Sequence, residues 1–525
     1  MGVCWCKEKT REENNDPYTL TTRTSSPPAV GQQLRVSTSK VVDTVIVDQL
    51  VLEMLTLIAS FVDNDEETPV SLVRLHMIAD KEDGWIQVVT SMVNVIPLED
   101  PFGPSAITIL LDDCPLPSKE SVIKVTQLFG LSSQRANTGD LNVRVERNIC
   151  VVLGCIAEKL AGPNSIAILT ENTLDYLFTF LVTRRDACIV LFALIALEKF
   201  AHTTENKLTI KSRIEREPLN PFLEMEKLAD SGDYTWRQVG FCAKWALDNL
   251  FIIEGRQLSY ELADMSSINV ILNSHDVSEY LKISCDGLEA RCDSYSFESV
   301  RCTFQVDEGC WYYEAAVVTP GVMQIGWATK NSHFLNHDGY GIGDDLFSIS
   351  YDGCRKLVWH KARPCPVAGA AAWRPGDVLG CLIDVRAAEV IFSVNGARLP
   401  ARNEIFETTR HGFFAAASFM AFQQCRFNFG HEPFRHPPTD RPFSAFNQHG
   451  QLGDDEKKVV PRWMYLLQLR CSSVKEDSCT LCFDDTACCV LEPCQHKGFC
   501  SVCTSQLKEC PMCRAAIMNV RREET

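Results

Sequence analysis

Eight metal-ligating residue types fall in one register near the carboxy-terminal end: Cys479, Cys482, Cys494, His496, Cys500, Cys503, Cys510 and Cys513. Their spacing is C-x2-C-x11-C-x-H-x3-C-x2-C-x6-C-x2-C. Two thiolates two residues apart can reach one tetrahedral zinc at about 2.3 Å, and a second pair must close the shell, so four half-sites provide for two ions. Shells closed by four protein ligands leave no position for water, which makes such zinc structural rather than hydrolytic. Ordinary buried thiols would not supply four metal-spaced pairs within 35 residues. Extracellular disulfides are the better rival. They are disfavoured by a long chain without a secretory apolar stretch at its start or any N-x-[ST] acceptor.

The long gap, the single histidine and the tight C-x-H pair resemble a RING finger. That resemblance implies interleaved shells, with Cys479, Cys482, Cys500 and Cys503 on one zinc and Cys494, His496, Cys510 and Cys513 on the other. It also implies an apolar shelf for a ubiquitin-conjugating enzyme at Leu481 and Pro511, extended by Leu507. Arg514, directly after the last ligand, stands where active RINGs carry a linchpin cation, and a planar five-donor guanidinium suits a bridge between two proteins. Packing inside the finger is the plainer role for Leu481 and Leu507, and a solvated surface charge the plainer one for Arg514.

These ligands occupy a small part of a 525-residue chain, which is long enough for three or four units. A net charge of -17 argues against a nucleic-acid surface, which needs clustered Lys and Arg. The longest apolar run, Ala187 to Leu197, has 11 residues, short of the roughly 20 that span a bilayer. Of 25 cysteines, the 18 outside the register are scattered through apolar stretches and read as small hydrophobes in a reducing compartment, which places the protein in the cytoplasm. Residues 1–40 are polar, without apolar periodicity, and are expected to be disordered. They begin Met-Gly-Val-Cys-Trp-Cys, where acylation at Gly2, Cys4 and Cys6 would give membrane association; an ordinary start with two free thiols is the simpler reading.

Residues 41–264 show helical spacing, as at Val47, Leu50, Val51, Met54, Leu55 and Ile58. Segments starting at Ile156, Ala196 and Ala246 echo one another, which suggests armadillo or HEAT-like helices forming a groove for a protein partner, with an irregular bundle as the alternative. Residues 265–436 change to short strands such as Trp311 to Val318, Met323 to Ala328, Val378 to Asp384 and Val390 to Val394. Asn395-Gly396 follows as a hairpin signal. Residues 437–475 read as a linker with a short helix beginning near Pro461, 476–516 as the finger and 517–525 as a charged tail. A strand within Ala515 to Val520 and a dimer through the tails are left open.

The middle region carries Trp311-Tyr312-Tyr313-Glu314, Gln324-Ile325-Gly326-Trp327-Ala328, Gly339-Tyr340-Gly341-Ile342-Gly343-Asp344-Asp345, Ser350-Tyr351-Asp352-Gly353, Trp373-x-x-Gly376-Asp377 and Phe427-Asn428-Phe429-Gly430. In that order they resemble a SPRY domain, an all-β sandwich whose end loops bind short peptides. The glycines of 339–343 lack dinucleotide spacing and a following helix, so they are not read as a phosphate cradle. His333 to His337 and Arg355 to Arg363 are polar loop candidates for contact, but no substrate-binding residue is identified. Over nearly its whole length the chain resembles the RING finger and SPRY domain-containing protein 1 family. The resemblance implies a multidomain ubiquitin ligase that binds a protein substrate through SPRY loops or the helical groove and positions a ubiquitin-charged conjugating enzyme without a covalent intermediate. The alternative is a zinc-binding scaffold or adaptor without catalysis. Hydrolase and kinase motifs are not found, nor is a recognisable thioester-forming domain.

Overall fold

Side chains that accept first-turn amides start many of the helices. Ser118, Asn142, Thr170, Asp186 and Asp233 each satisfy amide donors that the first turn would otherwise leave unbonded. The computed structural model describes residues 43–60, 69–160, 162–278, 280–334, 340–473, 479–481, 486–511 and 515–522. The chain divides into two compact units at Val459/Val460.

The first unit begins with α1 (Thr44–Ser60), α2 (Val70–Ala79), α3 (Glu82–Val95), α4 (Gly103–Asp113), α5 (Lys119–Leu128), α6 (Ser133–Ala136) and α7 (Val143–Lys159). Two further groups of three each end in a long helix. They are α8 (Pro163–Ile168), α9 (Glu171–Thr183) and α10 (Ala187–Phe200), then α11 (Thr204–Arg216), α12 (Pro221–Glu226) and α13 (Tyr234–Asn249), with a single turn, α14 (Ser259–Leu262), after them. Ile156, Ala196 and Ala246, where the echoing segments begin, lie in the last turns of α7, α10 and α13, and α10 packs between the other two. Every residue of α10 from Ile189 to Phe200 is buried. The apolar run is thus a helix covered on all sides.

The sandwich follows as β1 (Leu281–Ile283), β2 (Glu289–Cys292), β3 (Glu298–Arg301), β4 (Cys310–Val317), β5 (Met323–Thr329), β6 (Ser348–Asp352) and β7 (Leu357–His360). It continues with β8 (Arg363–Pro366), β9 (Val378–Asp384), β10 (Glu389–Val394), β11 (Ala397–Arg398), β12 (Phe413–Phe419), β13 (Gln423–Asn428) and β14 (Ser444–Ala445). One sheet runs β1-β2-β13-β4-β9-β10-β11 with β14 on β4, and the other runs β3-β12-β5-β6-β7-β8. Tyr313, Trp327, Tyr351, Phe392, Phe419 and Phe427 fill the space between them. Asn395 and Gly396 both have positive φ and turn β10 into β11, as the dipeptide predicts. Gly341 and Gly343 lie flat on the outer face of the smaller sheet. There Ser418 Oγ accepts from the Ile342 amide at 2.8 Å and Ser348 Oγ from the Gly343 amide at 2.7 Å. A Cβ on Gly343 (φ 96°) would sit 2.6 Å from that of Trp359, so these glycines serve close packing.

Residues 437–459, expected to be linker, complete the sandwich instead. After β14, the turn α15 (Phe446–His449) buries Phe446 fully among the rings of Tyr313, Trp327 and Phe429. An aromatic plug of this kind reads in sequence only as a second Phe, three residues after Phe443, in a largely polar stretch.

The helices and the sandwich share a core. Phe297, Val322, Met420, Ala421 and Phe422 belong to the helical core cluster, with Phe422 edge-on to Phe192 at 5.1 Å. Beside this apolar contact, Lys282, Arg291 and Gln424 stand in one cross-strand row over β1, β2 and β13. Lys282 Nζ lies 2.5 Å from Glu198 of α10 and 2.6 Å from Asp293, and its ammonium sits 4.7 Å from the ring centre of Trp245. Arg291 holds Asp293 at 2.8 Å and donates to Gln238 of α13 at 2.9 Å. Burial pushes the Asp293 carboxyl up, but Arg291 and Lys282 outweigh it and hold it below its ordinary range. For Glu198 burial dominates, and its pKa is raised despite Lys282. Charged groups buried this way are tolerated because each meets an opposite charge or a donor.

Candidate metal centre

The second unit opens with helix α16 (Arg462–Ser473), beginning one residue after Pro461. It then folds β15 (Cys489–Glu492), β16 (His496–Phe499), α17 (Ser501–Gln506) and β17 (Asn519–Arg522) around a small core of Leu491 and Phe499 with the ligand thiols. The three strands order β16-β15-β17. β17 pairs with β15 from Asn519↔Glu492 to Arg522↔Cys489. The sheet therefore takes in residues that the sequence reading assigns to the tail, because one buried strand, β15, offers hydrogen bonds on both edges.

Each described ligand is placed by a backbone feature. Cys479 lies beside a turn held by the Thr480 amide to Gly498 carbonyl bond at 2.8 Å. Cys494 and His496 flank the β15 to β16 turn, in which Gln495 has positive φ. Cys500 is the N-cap of α17, its Sγ accepting from the Cys503 amide at 3.3 Å, so both face the same side of the first turn. Cys510 follows a β-bridge between Glu509 and Ala516.

Two clusters result. The Sγ atoms of Cys479, Cys500 and Cys503 lie within 4.8 Å of one another, and so do the donor atoms of Cys494, His496 and Cys510. Cys510 Sγ is 3.5 Å from His496 Nδ1. A tetrahedral zinc with bonds of about 2.3 Å has ligand-to-ligand edges of about 3.8 Å, so both triads fit such an ion. The grouping alternates along the chain, as the interleaved pattern requires. Cys482 and Cys513, which the sequence pattern assigns as fourth ligands, and Arg514 lie outside the described residues, as do Gly2, Cys4 and Cys6.

Of the residues expected to form a shelf, Leu481 is 42% exposed, Pro511 is exposed and Leu507 is half-buried. Val502, between Cys500 and Cys503, is 56% exposed on α17. The sequence reading did not single it out, although it lies inside a ligand pair as Leu481 does. The vicinal thiols Cys488 and Cys489, off the ligand register, lie 3.8 Å apart at the start of β15.

Fold and clusters together define a protein with an amino-terminal helical region, a SPRY sandwich and a carboxy-terminal zinc-binding RING-type finger. Residues 310–432 match the SPRY domain family, and residues 475–520 match the zinc finger, C3HC4 type (RING finger) family. Among curated proteins the chain is similar to E3 ubiquitin-protein ligase RKP of Arabidopsis thaliana, at 37% identity over 144 residues, covering 27% of this chain and 11% of that protein. It is also similar to ATP-dependent RNA helicase DDX1 of Xenopus laevis, at 26% identity over 170 residues, covering 32% and 22% respectively. The chain thus spans 11% and 22% of the lengths of these relatives. Solved structures it resembles include the SPRY domain of human HERC1, at 13% identity and TM-score 0.26, covering 30% of this chain and 96% of that one. The TRIM65 PSpry domain matches at 12% identity and TM-score 0.25, covering 30% and 90%.

Proposed function

We propose that this protein is a RING-type ubiquitin ligase that captures a protein substrate on its helical and sandwich unit and promotes transfer from a ubiquitin-charged conjugating enzyme. The observation that carries this reading is the alternation of the two ligand triads, which leaves Leu481 and Pro511 exposed on the loops the ligands tie down. Similarity to a plant E3 ubiquitin-protein ligase supports it. In this reading Leu481, Leu507 and Pro511 dock the conjugating enzyme. Arg514 spreads guanidinium donors between that enzyme and its ubiquitin, holding the thioester where a substrate lysine can attack. The chain contributes orientation and no nucleophile, so no covalent ubiquitin intermediate forms on it. Zinc, two ions per chain, supplies folding energy to the finger and no step of the transfer.

A reducing compartment such as the cytoplasm suits buried thiols such as Cys114, Cys150, Cys155, Cys242, Cys292 and Cys381, which form no disulfide. The test is reconstitution with activating enzyme, a panel of conjugating enzymes and ubiquitin, with and without a chelator. Chelator-sensitive chain formation is the expected result. Its absence across the panel with two zinc ions bound would leave a zinc-folded adaptor as the better description.

A further inference from the structure

A cavity of about 290 Å³ opens where the helices meet the sandwich. Strand register builds its floor: Glu289, Arg426, Ala316 and Val378 stand side by side across β2, β13, β4 and β9. Arg237 of α13 and Asp230, in the turn before it, form one wall. The strap that leaves β13, with His431 and Arg435, forms the other.

Away from the exposed Asp230 and Glu432, the unspent hydrogen-bonding capacity here is cationic. Glu314 spends one oxygen on Tyr312 Oη and the His436 amide at 3.1 and 2.7 Å, and the other on the Arg435 amide at 2.8 Å. Glu289 is taken by Gln424 at 2.6 Å, Arg237 at 3.0 Å and Arg426 at 3.5 Å. The guanidiniums are not used up. Arg237 meets Glu289 through Nε and Nη2, leaving Nη1 without a partner among the described residues. Arg426 holds Asp286 through Nη2 at 2.7 Å and meets Glu289 through Nη1 at 3.5 Å, leaving Nε without a partner among the described residues, and among these the exposed Arg435 bonds only through its backbone amide. His431, with 7% of its side chain exposed, keeps on the cavity wall a buried Nδ1 with no hydrogen-bond partner among the described residues. Asp230 and Glu432 also line the cavity but stand exposed to solvent, Glu432 at 71%. A lysine reaching the floor would meet Glu314 and Glu289 already bonded. An anion would meet free N–H groups in fork geometry. The volume lies near the lower end of small-molecule sites, roughly 300 to 1,000 Å³, and suits a side chain with its flanking backbone rather than a nucleotide.

We propose that this junction cavity is a peptide-recognition site for an anionic side chain, carboxylate or phosphate, gripped by Arg237, Arg426 and Arg435 over the Ala316 and Val378 floor. It deepens the ligase reading by naming a substrate class, and rests on that reading for the bound peptide being a substrate. The test uses the full-length zinc-loaded protein and randomised short peptide pools carrying a fixed central Glu, phosphoserine, Gln or Lys. The Glu or phosphoserine pool should be retained roughly tenfold over Gln, the scale of one charge-assisted hydrogen bond, and the stronger of the two identifies the anion. Arg435→Glu, at an exposed position, and Ala316→Trp, which fills the floor, should each abolish the preference, and added salt should weaken it. Equal retention of all pools, or an acid preference that survives Arg435→Glu, overturns the proposal whether or not Ala316→Trp folds. Autoubiquitination measured on the same samples separates the two readings. Its absence with peptide selection intact removes the ligase and keeps the site, and the reverse removes the site alone.

Discussion

Lys282→Met preserves the length and apolar stem of the side chain and deletes only the ammonium that joins helix α10 to the sandwich. Wild-type Lys282 contacts Glu198 and Asp293, each with 6% of its side chain exposed, so the interaction is barely screened by solvent. Asp293 retains Arg291 at 2.8 Å, which leaves Glu198 as the orphaned charge. Removing one partner of a buried pair costs about 3 to 5 kcal/mol, and Lys199, which also faces Glu198, sets the expectation toward about 3 kcal/mol. The loss should depend on pH. Burial already raises the Glu198 pKa above its ordinary 4.5 while Lys282 opposes it, so the variant raises it further. A carboxyl with a raised folded-state pKa loses stability as pH climbs from its unfolded value through the folded one. Hence the gap from wild type is widest above the variant's folded pKa and narrows as pH falls through it and Glu198 takes up its proton. Equilibrium urea unfolding of the full chain at several pH values measures this, and adding Glu198→Gln to Lys282→Met should recover part of the loss. A Lys282→Met variant within about 1 kcal/mol of wild type at neutral pH, or a gap that ignores pH, would refute the buried-charge argument.

Arg514→Ala should leave zinc content unchanged while lowering autoubiquitination about tenfold or more, equivalent to about 1.4 kcal/mol of orientation; undiminished chain formation rules out the linchpin role. His496→Ala opens the Cys494, His496 and Cys510 cluster, and metal analysis with limited proteolysis should report fewer than two bound zinc ions and a finger that is cut readily. Phe422→Ala removes the ring that meets Phe192 and should cost about 3 to 5 kcal/mol in urea unfolding of the first unit. Gly343→Ala, at φ 96° and against Trp359, should destabilise the sandwich by about 1 to 3 kcal/mol; wild-type stability would mean the loop can lift off the sheet.

What was readable in the sequence was local. Ligand spacing is set by the reach of one or two turns, and Asn395-Gly396 encodes its turn through two residues that tolerate positive φ. Strands such as Met323–Thr329 show in their apolar, β-branched and aromatic content. The union of helices and sandwich was not readable. Glu198 is far from Lys282 and Asp293 along the chain, and charged residues read singly as solvated surface. Phe446 gave no periodic signal, and β17 hides its pairing within a run of Arg and Glu, since backbone bonds to β15 carry it rather than its side chains.

The mixed core of the first unit has a practical consequence for finding binding partners. A bait cut before Met265, where composition changes, would bare Phe422, Met420, Val322 and Phe297 as a greasy prow beside naked Lys282 and Arg291. Such a piece would collect proteins through a surface the intact molecule never shows, while lacking the Arg237 wall of the junction cavity. Interaction screens should therefore keep residues 43–459 together, and contacts found with the sandwich alone should be repeated on that larger block.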